Sequence, residues 1–225
     1  MFVLRSPDEQ SDIRGATGTG PGCRSAHPGY KSARIVVGRE RRFDVAAREA
    51  LLDAAFGPGR FEKTSERLRE GRRPARGLAF IARQGGRVVG TLRLWSVVTA
   101  TGHTGLLLGP LAVAADARCL GIGAGLMWQA LYKAKTLGHR AILLVGDAAY
   151  YSRFGFSAEK TGALRMPGPY ARERLLACEL VPDALTGARG VISAANPPPS
   201  QLSRLVKQMS PARHIHYDTT EPATS

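Results

Sequence analysis

Midway along an apolar strand signal, Leu106-Leu107-Leu108-Gly109-Pro110-Leu111-Ala112-Val113, the chain places a Gly-Pro pair. Proline has no N–H to give to a ladder, so within a sheet it marks an edge or a bulge. A bulge here bends the strand away from a parallel neighbour. That neighbour is Ala141–Val145, a run of apolar residues as expected for a strand covered on both faces. Between the two, Leu126, Met127, Ala130, Leu131, Ala134 and Leu137 fall on one helical face. Strand, helix, strand requires a parallel pair with a right-handed crossover. Parallel strands that diverge leave a cleft where the main-chain groups of Leu111, Ala112 and Val113 meet no partner strand. An amide-bearing ligand arm pairs there as an added strand would. The alternative is a bulge that only shapes the sheet.

The segment Arg118-Cys119-Leu120-Gly121-Ile122-Gly123-Ala124-Gly125 joins the bulged strand to the helix. Unpaired N–H groups at a helix start carry the positive end of the dipole. Glycines let that backbone approach a phosphate closely. Arg118 adds a permanent cation with a fork that fits phosphate oxygens. Two other phosphate loops are excluded. The Gly-Lys-Ser/Thr of a P-loop is absent, and Leu126 stands where a dinucleotide fingerprint needs Gly or Ala. Gly-rich turns into helices are common, so a purely structural loop stays open as an alternative.

Upstream, Arg34–Val37 reads as a short strand. Phe43–Phe56 reads as a helix with Val45, Leu51, Leu52 and Ala55 inward, stopped by Gly57-Pro58-Gly59. Phe61–Arg69 has the spacing of a second, short helix. Leu78–Arg83 and Arg87–Val98 flank Gly85-Gly86 as a hairpin, and Gly105–Val113 continues the meander. Phe154–Ala158 follows a short turn, and Arg174–Val181 reads as a last strand. The domain is therefore expected over 34–185. Residues 1–33, rich in Gly, Ser and Arg, are expected to be a disordered extension. Residues 186–225, with Pro197-Pro198-Pro199, are expected to be a disordered tail.

Apolar residues make up 44% of the 225, enough for a core and too many for a disordered chain. No stretch approaches the ~18 uninterrupted apolar residues of a membrane span. The start lacks the apolar middle of a secretory signal. Cys23, Cys119 and Cys178 have no metal or redox spacing and suit a reducing cytoplasm, so a cytoplasmic protein without metal is expected. The net charge is +14, and residues 34–138 hold 18 basic against 8 acidic side chains. Such a field attracts anions: nucleic acid, an anionic membrane or a phosphorylated cofactor. A solvated Arg-rich surface explains it equally well. Acids interleave the 12 basic residues of 34–76 and no aromatic stripe accompanies them, so nucleic acid is possible but not favoured.

Three segments in order, Leu111-Ala112-Val113, Arg118-x-x-Gly121-x-Gly123 and Tyr150-Tyr151-Ser152-Arg153-Phe154-Gly155-Phe156, resemble the motifs of the GNAT superfamily of N-acetyltransferases. The superfamily's cofactor loop reads Arg/Gln-x-x-Gly-x-Gly/Ala, and its later motif ends in Tyr-x-x-x-Gly-Phe. The resemblance covers about 34–182 and leaves both ends outside. It implies an α+β fold, a three-layer α-β-α sandwich. The central sheet would be mixed and mostly antiparallel, with one splayed parallel pair. It also implies acetyl-CoA as acyl donor, its pantetheine arm on Leu111–Val113. The pyrophosphate would lie at Arg118 and on the amides of Cys119, Leu120, Gly121, Ile122, Gly123 and Ala124.

In similar enzymes the position of Tyr151 serves as general acid toward the departing thiolate. A phenol of pKa ~10 is poorly matched to a thiol of ~8.5, so proximity must do more than acidity. The alternative is a core tyrosine whose hydroxyl is satisfied elsewhere. Tyr150 should point about 100° away on a helical turn. A main-chain N–H near Leu111 suits the oxyanion. No base is assigned among His103, Glu62, Glu66, Asp147 and water. Gly105–Val113 carries no Asp or Glu, and Asp147 suits a helix cap. The expected function is acetyl transfer to an amine of a small molecule or peptide. A non-catalytic acyl-CoA sensor and a nucleic-acid-associated protein are the alternatives. The acceptor side is expected from 43–76 and 161–173, where Arg60, Arg67, Arg69 and Arg165 hint at an anionic feature.

Overall fold

The computed structural model describes residues 34–195; the expected extension 1–33 and most of the expected tail, from 196 on, lie outside the described residues. The strands are β1 (Ile35–Arg39), β2 (Ala79–Gln84), β3 (Arg87–Val98), β4 (Thr104–Val113) and β5 (Ala141–Val145). Helix α1 (Val45–Phe56) follows β1, α2 (Ile122–Thr136) follows β4 and α3 (Ala148–Tyr151) follows β5. Short strands β6 (Leu164–Arg165), β8 (Gly190–Val191) and β9 (Ser193–Ala194) frame β7 (Leu175–Glu179) in the chain. The main sheet runs β1-β2-β3-β4-β5-β7 with β9 also on β3; β4 and β5 pair in parallel and every other neighbour is antiparallel.

Alternation along the central strands sends side chains to two cores. Leu94, Leu106 and Ile142 meet Leu126, Met127, Ala130 and Ala134 of α2 on one face. Trp95, Leu107 and Leu143 turn to the other, where Leu68, Leu185 and Ile192 cover them. Leu51 and Leu52 of α1 close on Ala112 on that same side. Helix, sheet and helix are thus the three layers of an α+β sandwich. A charged clasp ties α1 down: Glu40 accepts from Arg48 of α1 and from Arg93 of β3, whose Nε lies at 2.7 Å. Burial pushes the Glu40 carboxyl up despite the Arg48 charge beside it.

Three expectations are corrected. Val45 is exposed, because α1 begins only there, after a 3-10 turn at Arg42–Asp44, and the buried face of the helix starts at Arg48. Phe61–Arg69 is not a helix but parts of two 3-10 turns, Pro58–Glu62 and Glu66–Leu68, parted by extended Lys63. A segment this short gains little helix stability by propagation. Arg69 instead donates to the Ser65 carbonyl, and Thr64 to that of Pro169. The fold also continues past 185. Ile192 is fully buried, β9 pairs with Val97 and Val98, and Arg189 N–H donates to Thr101. Strands of two residues carry no period for a sequence pattern to reveal.

Candidate active site

Strands β4 and β5 stay together for two residue pairs, Leu106 with Ile142 and Leu107 with Leu143, and then part. The bulge that bends β4 lies at Gly109–Pro110. The β3 register shifts by one there, between Leu92 opposite Leu111 and Leu94 opposite Leu108. Trp95 of β3 fixes it by donating its indole N–H to the Gly109 carbonyl at 2.8 Å. Beyond the bulge, Ala114 N–H donates to Val89 of β3. Main-chain groups in an antiparallel ladder alternate sides, so those of Ala112 also face β3. Leu111 and Val113 then turn theirs toward the gap. Pro110 has no N–H, which leaves Leu111 the first main-chain donor after the bend.

The loop after β4 reaches α2 through two residues of left-handed backbone, Cys119 (φ 67°) and Gly121 (φ 70°). Such alternation aims successive N–H groups into one concavity. Among the described residues, no acceptor takes the amides of Leu120, Gly121, Ile122, Gly123 or Ala124; the first helical bond is Gly125 N–H to Gly121. The concavity measures about 510 Å³ and is lined by the loop, Val113, Arg118, Tyr150 and Arg153. Leu120 projects outward and Ala112 buries its methyl under α1, so their side chains lie outside it. Tyr150 and Arg153 join the loop only in three dimensions; the Arg153 guanidinium lies 4.5 Å from the Tyr150 ring centre. The Arg at i+3 from Tyr150 was the one available signal in the sequence.

A second cavity, of about 370 Å³, fills the gap between the strands. Leu108–Leu111 form one wall and Leu144–Asp147 the other, with Tyr150 and Tyr151 at one end and residues of 56–69 with Arg174 across the mouth. Tyr150 therefore borders both cavities and joins them. The two tyrosine rings stand at 86°, centres 4.9 Å apart. Tyr150 places its hydroxyl against the loop, 3.0 Å from where a β-carbon on Gly123 would lie. Tyr151 packs over Gly146, where any β-carbon would fall 2.3 Å from the ring. Among the described residues neither phenol oxygen has a hydrogen-bond partner, against the alternative of a hydroxyl satisfied elsewhere. Burial, then the neighbouring Tyr150, pushes the Tyr151 phenol up to about 12.

The carboxylate and histidine candidates separate. His103 lies in the β3–β4 hairpin, bonded to Thr101 and the Thr186 carbonyl, outside the cavity. Glu62 does not line it. Asp147 does, and caps α3 by accepting from Ala149 N–H at 3.0 Å. Glu66 lines it too, 3.2 Å from Arg69. Of the arginines expected on the acceptor side, Arg60 and Arg69 border the mouth, whereas Arg67 is exposed and donates to Pro167 and Arg165 lies on β6. Lys63 and Arg174, which composition could not single out, complete it. Much of the 34–76 charge is consumed internally: Arg48 pairs with Glu40 and Glu49, and Arg60 with Glu49 and Asp53. Among the described residues no group of three or more His, Cys, Asp or Glu could hold a metal, and no helix is long and apolar enough to cross a membrane.

Comparison with known proteins converges on the same region. Residues 46–156 match the model of the acetyltransferase (GNAT) family. YhbS of Escherichia coli K12, described as an uncharacterized N-acetyltransferase, is 33% identical over 85 residues, 38% of this chain and 51% of its own length. The chain thus spans about half the length of the curated relatives it matches. The crystal structure of YhbS from Escherichia coli in complex with CoA superposes with a TM-score of 0.64 at 27% identity, over 75% of this chain and 93% of that one. A GNAT family acetyltransferase from Brucella melitensis in complex with acetyl-CoA gives a TM-score of 0.54 at 25% identity, over 71% and 94%.

Proposed function

The chain belongs to the GNAT family of acetyltransferases, and from that premise we propose that it moves an acetyl group from acetyl-CoA to an amine of a small molecule or peptide. One observation carries the reading. Two sets of main-chain groups without acceptors or partners, at Leu111 and Val113 and at Leu120–Ala124, border two cavities that Tyr150 joins into one path. No acceptor among the described residues takes the loop amides, and backbone donors left without a partner cost about 1–3 kcal/mol each when water is excluded. A pantetheine arm carries two amides for the strand edge, and a pyrophosphate suits the loop. The structures of the YhbS and Brucella proteins with CoA and acetyl-CoA support the assignment.

On this reading the thioester lies at the bulge. Its carbonyl oxygen accepts from Leu111 N–H, so the charge of the tetrahedral intermediate develops against a fixed dipole. The amine enters from the mouth at Lys63, Arg69 and Arg174. Collapse of the intermediate breaks the carbon–sulfur bond and leaves a thiolate. Tyr151, its phenol pushed up to about 12, remains a neutral donor through neutral and mildly alkaline solution. It stabilises the sulfur by hydrogen bonding more than by releasing its proton, because a thiol of pKa ~8.5 holds a proton less tightly than that phenol does. Glu66 and Asp147 are the carboxylates within the cavity that can relay the amine proton, directly or through water.

Thiol release from acetyl-CoA with a broad amine panel tests the proposal. We expect Tyr151→Phe to lower kcat about 100-fold or more, the usual weight of a positioned acid, with acetyl-CoA affinity within about threefold of wild type. An unchanged kcat removes Tyr151 from the chemistry. A wild type that binds acetyl-CoA and acetylates no amine leaves an acyl-CoA sensor instead.

A further inference from the structure

Resting on the acyl-transfer reading, we propose that the acceptor carries an oxyanion, a carboxylate or a phosphate, close to its amine, and that Arg69 with Lys63 and Arg174 receives it. Arg69 is the central observation. It is only 7% exposed, on the wall of the cavity between the splayed strands. Its Nε donates to the Ser65 carbonyl at 3.0 Å; its Nη2 donates to Ser65 Oγ at 2.7 Å and lies 3.2 Å from Glu66. Its Nη1 has no acceptor among the described residues and lies 4.0 Å from where a β-carbon on Gly109 would stand, beside the bulge. Nη1 is not among the buried polar atoms left without a partner, so this arm opens onto the cavity, where an incoming anion can take it.

Two further cations face the same space. Among the described residues neither Lys63 nor Arg174 has a carboxylate within ion-pair distance, and both line the mouth. Burial first, then the charges of Arg69 and Arg174, holds the Lys63 ammonium below its usual range, so the three cations feel one another. Arg60 differs, because Glu49 and Asp53 outside the cavity neutralise it. Glu66, already engaged by Arg69, and Asp147, at the opposite lip, are the acids of the lining. The cofactor does not supply the missing charge here. Its phosphates belong at the loop with Arg118 and Arg153, whereas its thioester end, at the bulge, is neutral. Lys63, Arg69 and Arg174 outnumber Glu66 and Asp147 in the lining, so a negative charge brought by the acceptor finds a partner here. Nη1, the open arm beside the oxyanion donor at Leu111, donates to one oxygen of a carboxylate or phosphate, Lys63 and Arg174 draw the others, and the amine of the same molecule is fixed at the thioester.

Matched acceptors test this in the full-length protein with acetyl-CoA: α-amino acids against their carboxamides, and phosphoethanolamine against ethanolamine. We expect at least one anionic member to exceed its neutral partner in kcat/KM by about tenfold to a hundredfold, the range of one charge-assisted hydrogen bond. The carboxylate arm and the phosphate arm then tell the two oxyanions apart. Arg69→Gln should bring that ratio to within about threefold while acetyl-CoA affinity, measured by calorimetry, stays unchanged. Should R69Q fail to fold, the double substitution Lys63→Gln with Arg174→Gln, at the open rim, should narrow the same ratio. Equal turnover of both members overturns the proposal. So does no turnover of any anionic amine by protein that binds acetyl-CoA, and so does a variant that lowers both members alike. Failure to bind acetyl-CoA would instead defeat the acyl-transfer reading on which this rests.

Discussion

Gly146 follows β5 directly beneath Tyr151, and the substitution Gly146→Ala tests whether that contact seats Tyr151 for its proposed role. The added β-carbon would meet Tyr151 Cε2 at 2.3 Å, Cδ2 at 2.8 Å and Leu144 Cδ1 at 3.0 Å. Carbon atoms pack without strain at about 3.5–4.0 Å, so the ring or the strand end must give by more than about 1 Å. Leu144 is fully buried and part of the α2-side core, so the phenol is the part that can move, toward the cavity. Overpacking of this kind costs about 1–3 kcal/mol, or roughly 2–12 °C in midpoint for a domain of this size. A misplacement of about 1 Å at a reacting group costs about 100-fold in rate. The amides of Leu120–Ala124 are untouched. The expected pattern is thus a fall in kcat of about 30- to 100-fold, acetyl-CoA affinity within about threefold, and a lowered melting midpoint. Tyr151→Ala removes the obstacle. In that background Gly146→Ala should cost little further stability, a coupling of about 1 kcal/mol or more in a double-mutant cycle. Additive stability losses, or full activity in G146A, would refute the idea that Gly146 is present to seat Tyr151.

Two other expectations follow from the same geometry. Gly123→Ala brings a methyl to 3.0 Å from the Tyr150 hydroxyl and 3.8 Å from Val113, so it should push Tyr150 off the loop. CoA affinity by calorimetry should weaken at least tenfold while Tyr151-dependent chemistry at saturating cofactor changes less; unchanged affinity would separate Tyr150 from the cofactor path. The Tyr151 phenol, raised from 10.0 to about 12, predicts a pH effect confined to alkaline solution. Below pH 10 the phenol is neutral in both folded and unfolded chains, and its contribution to stability is fully present. As pH rises toward 12 the unfolded phenol ionises first, and a contribution on the order of 2 kcal/mol is lost. Unfolding of wild type and Tyr151→Phe compared across that window should show the extra loss in wild type alone. Ultraviolet titration should show one late-ionising phenol that the variant lacks.

How much of this was legible in one dimension depended on whether a residue acts through its own chain neighbours. The Gly109–Pro110 bulge was, because proline cannot complete a ladder wherever the strand lies. So were the limits of Arg87–Val98 and Ala141–Val145, which the strands match residue for residue. The turn into α2 was readable because a strand, two glycines and an apolar helical stripe define a helix start locally. Phe61–Arg69 was misread because its structure is set from a distance: the Pro167 and Pro169 carbonyls accept from Arg67 and Thr64 across about a hundred positions of chain. Residues 190–194 were missed because two-residue strands are defined by partners alone.

The chain's own order of residues determined the kinked strand, the glycine-lined helix start and the tyrosine that follows β5, since each depends on backbone chemistry within a few positions. Tertiary structure alone decided that Arg69, Lys63 and Arg174, from distant segments, face one cavity, and that Arg60 beside them is already neutralised. Charge counts along a sequence cannot make that distinction. What an arginine offers to a ligand is the part of its charge that no carboxylate of the fold has taken, and only folding settles which carboxylates are near.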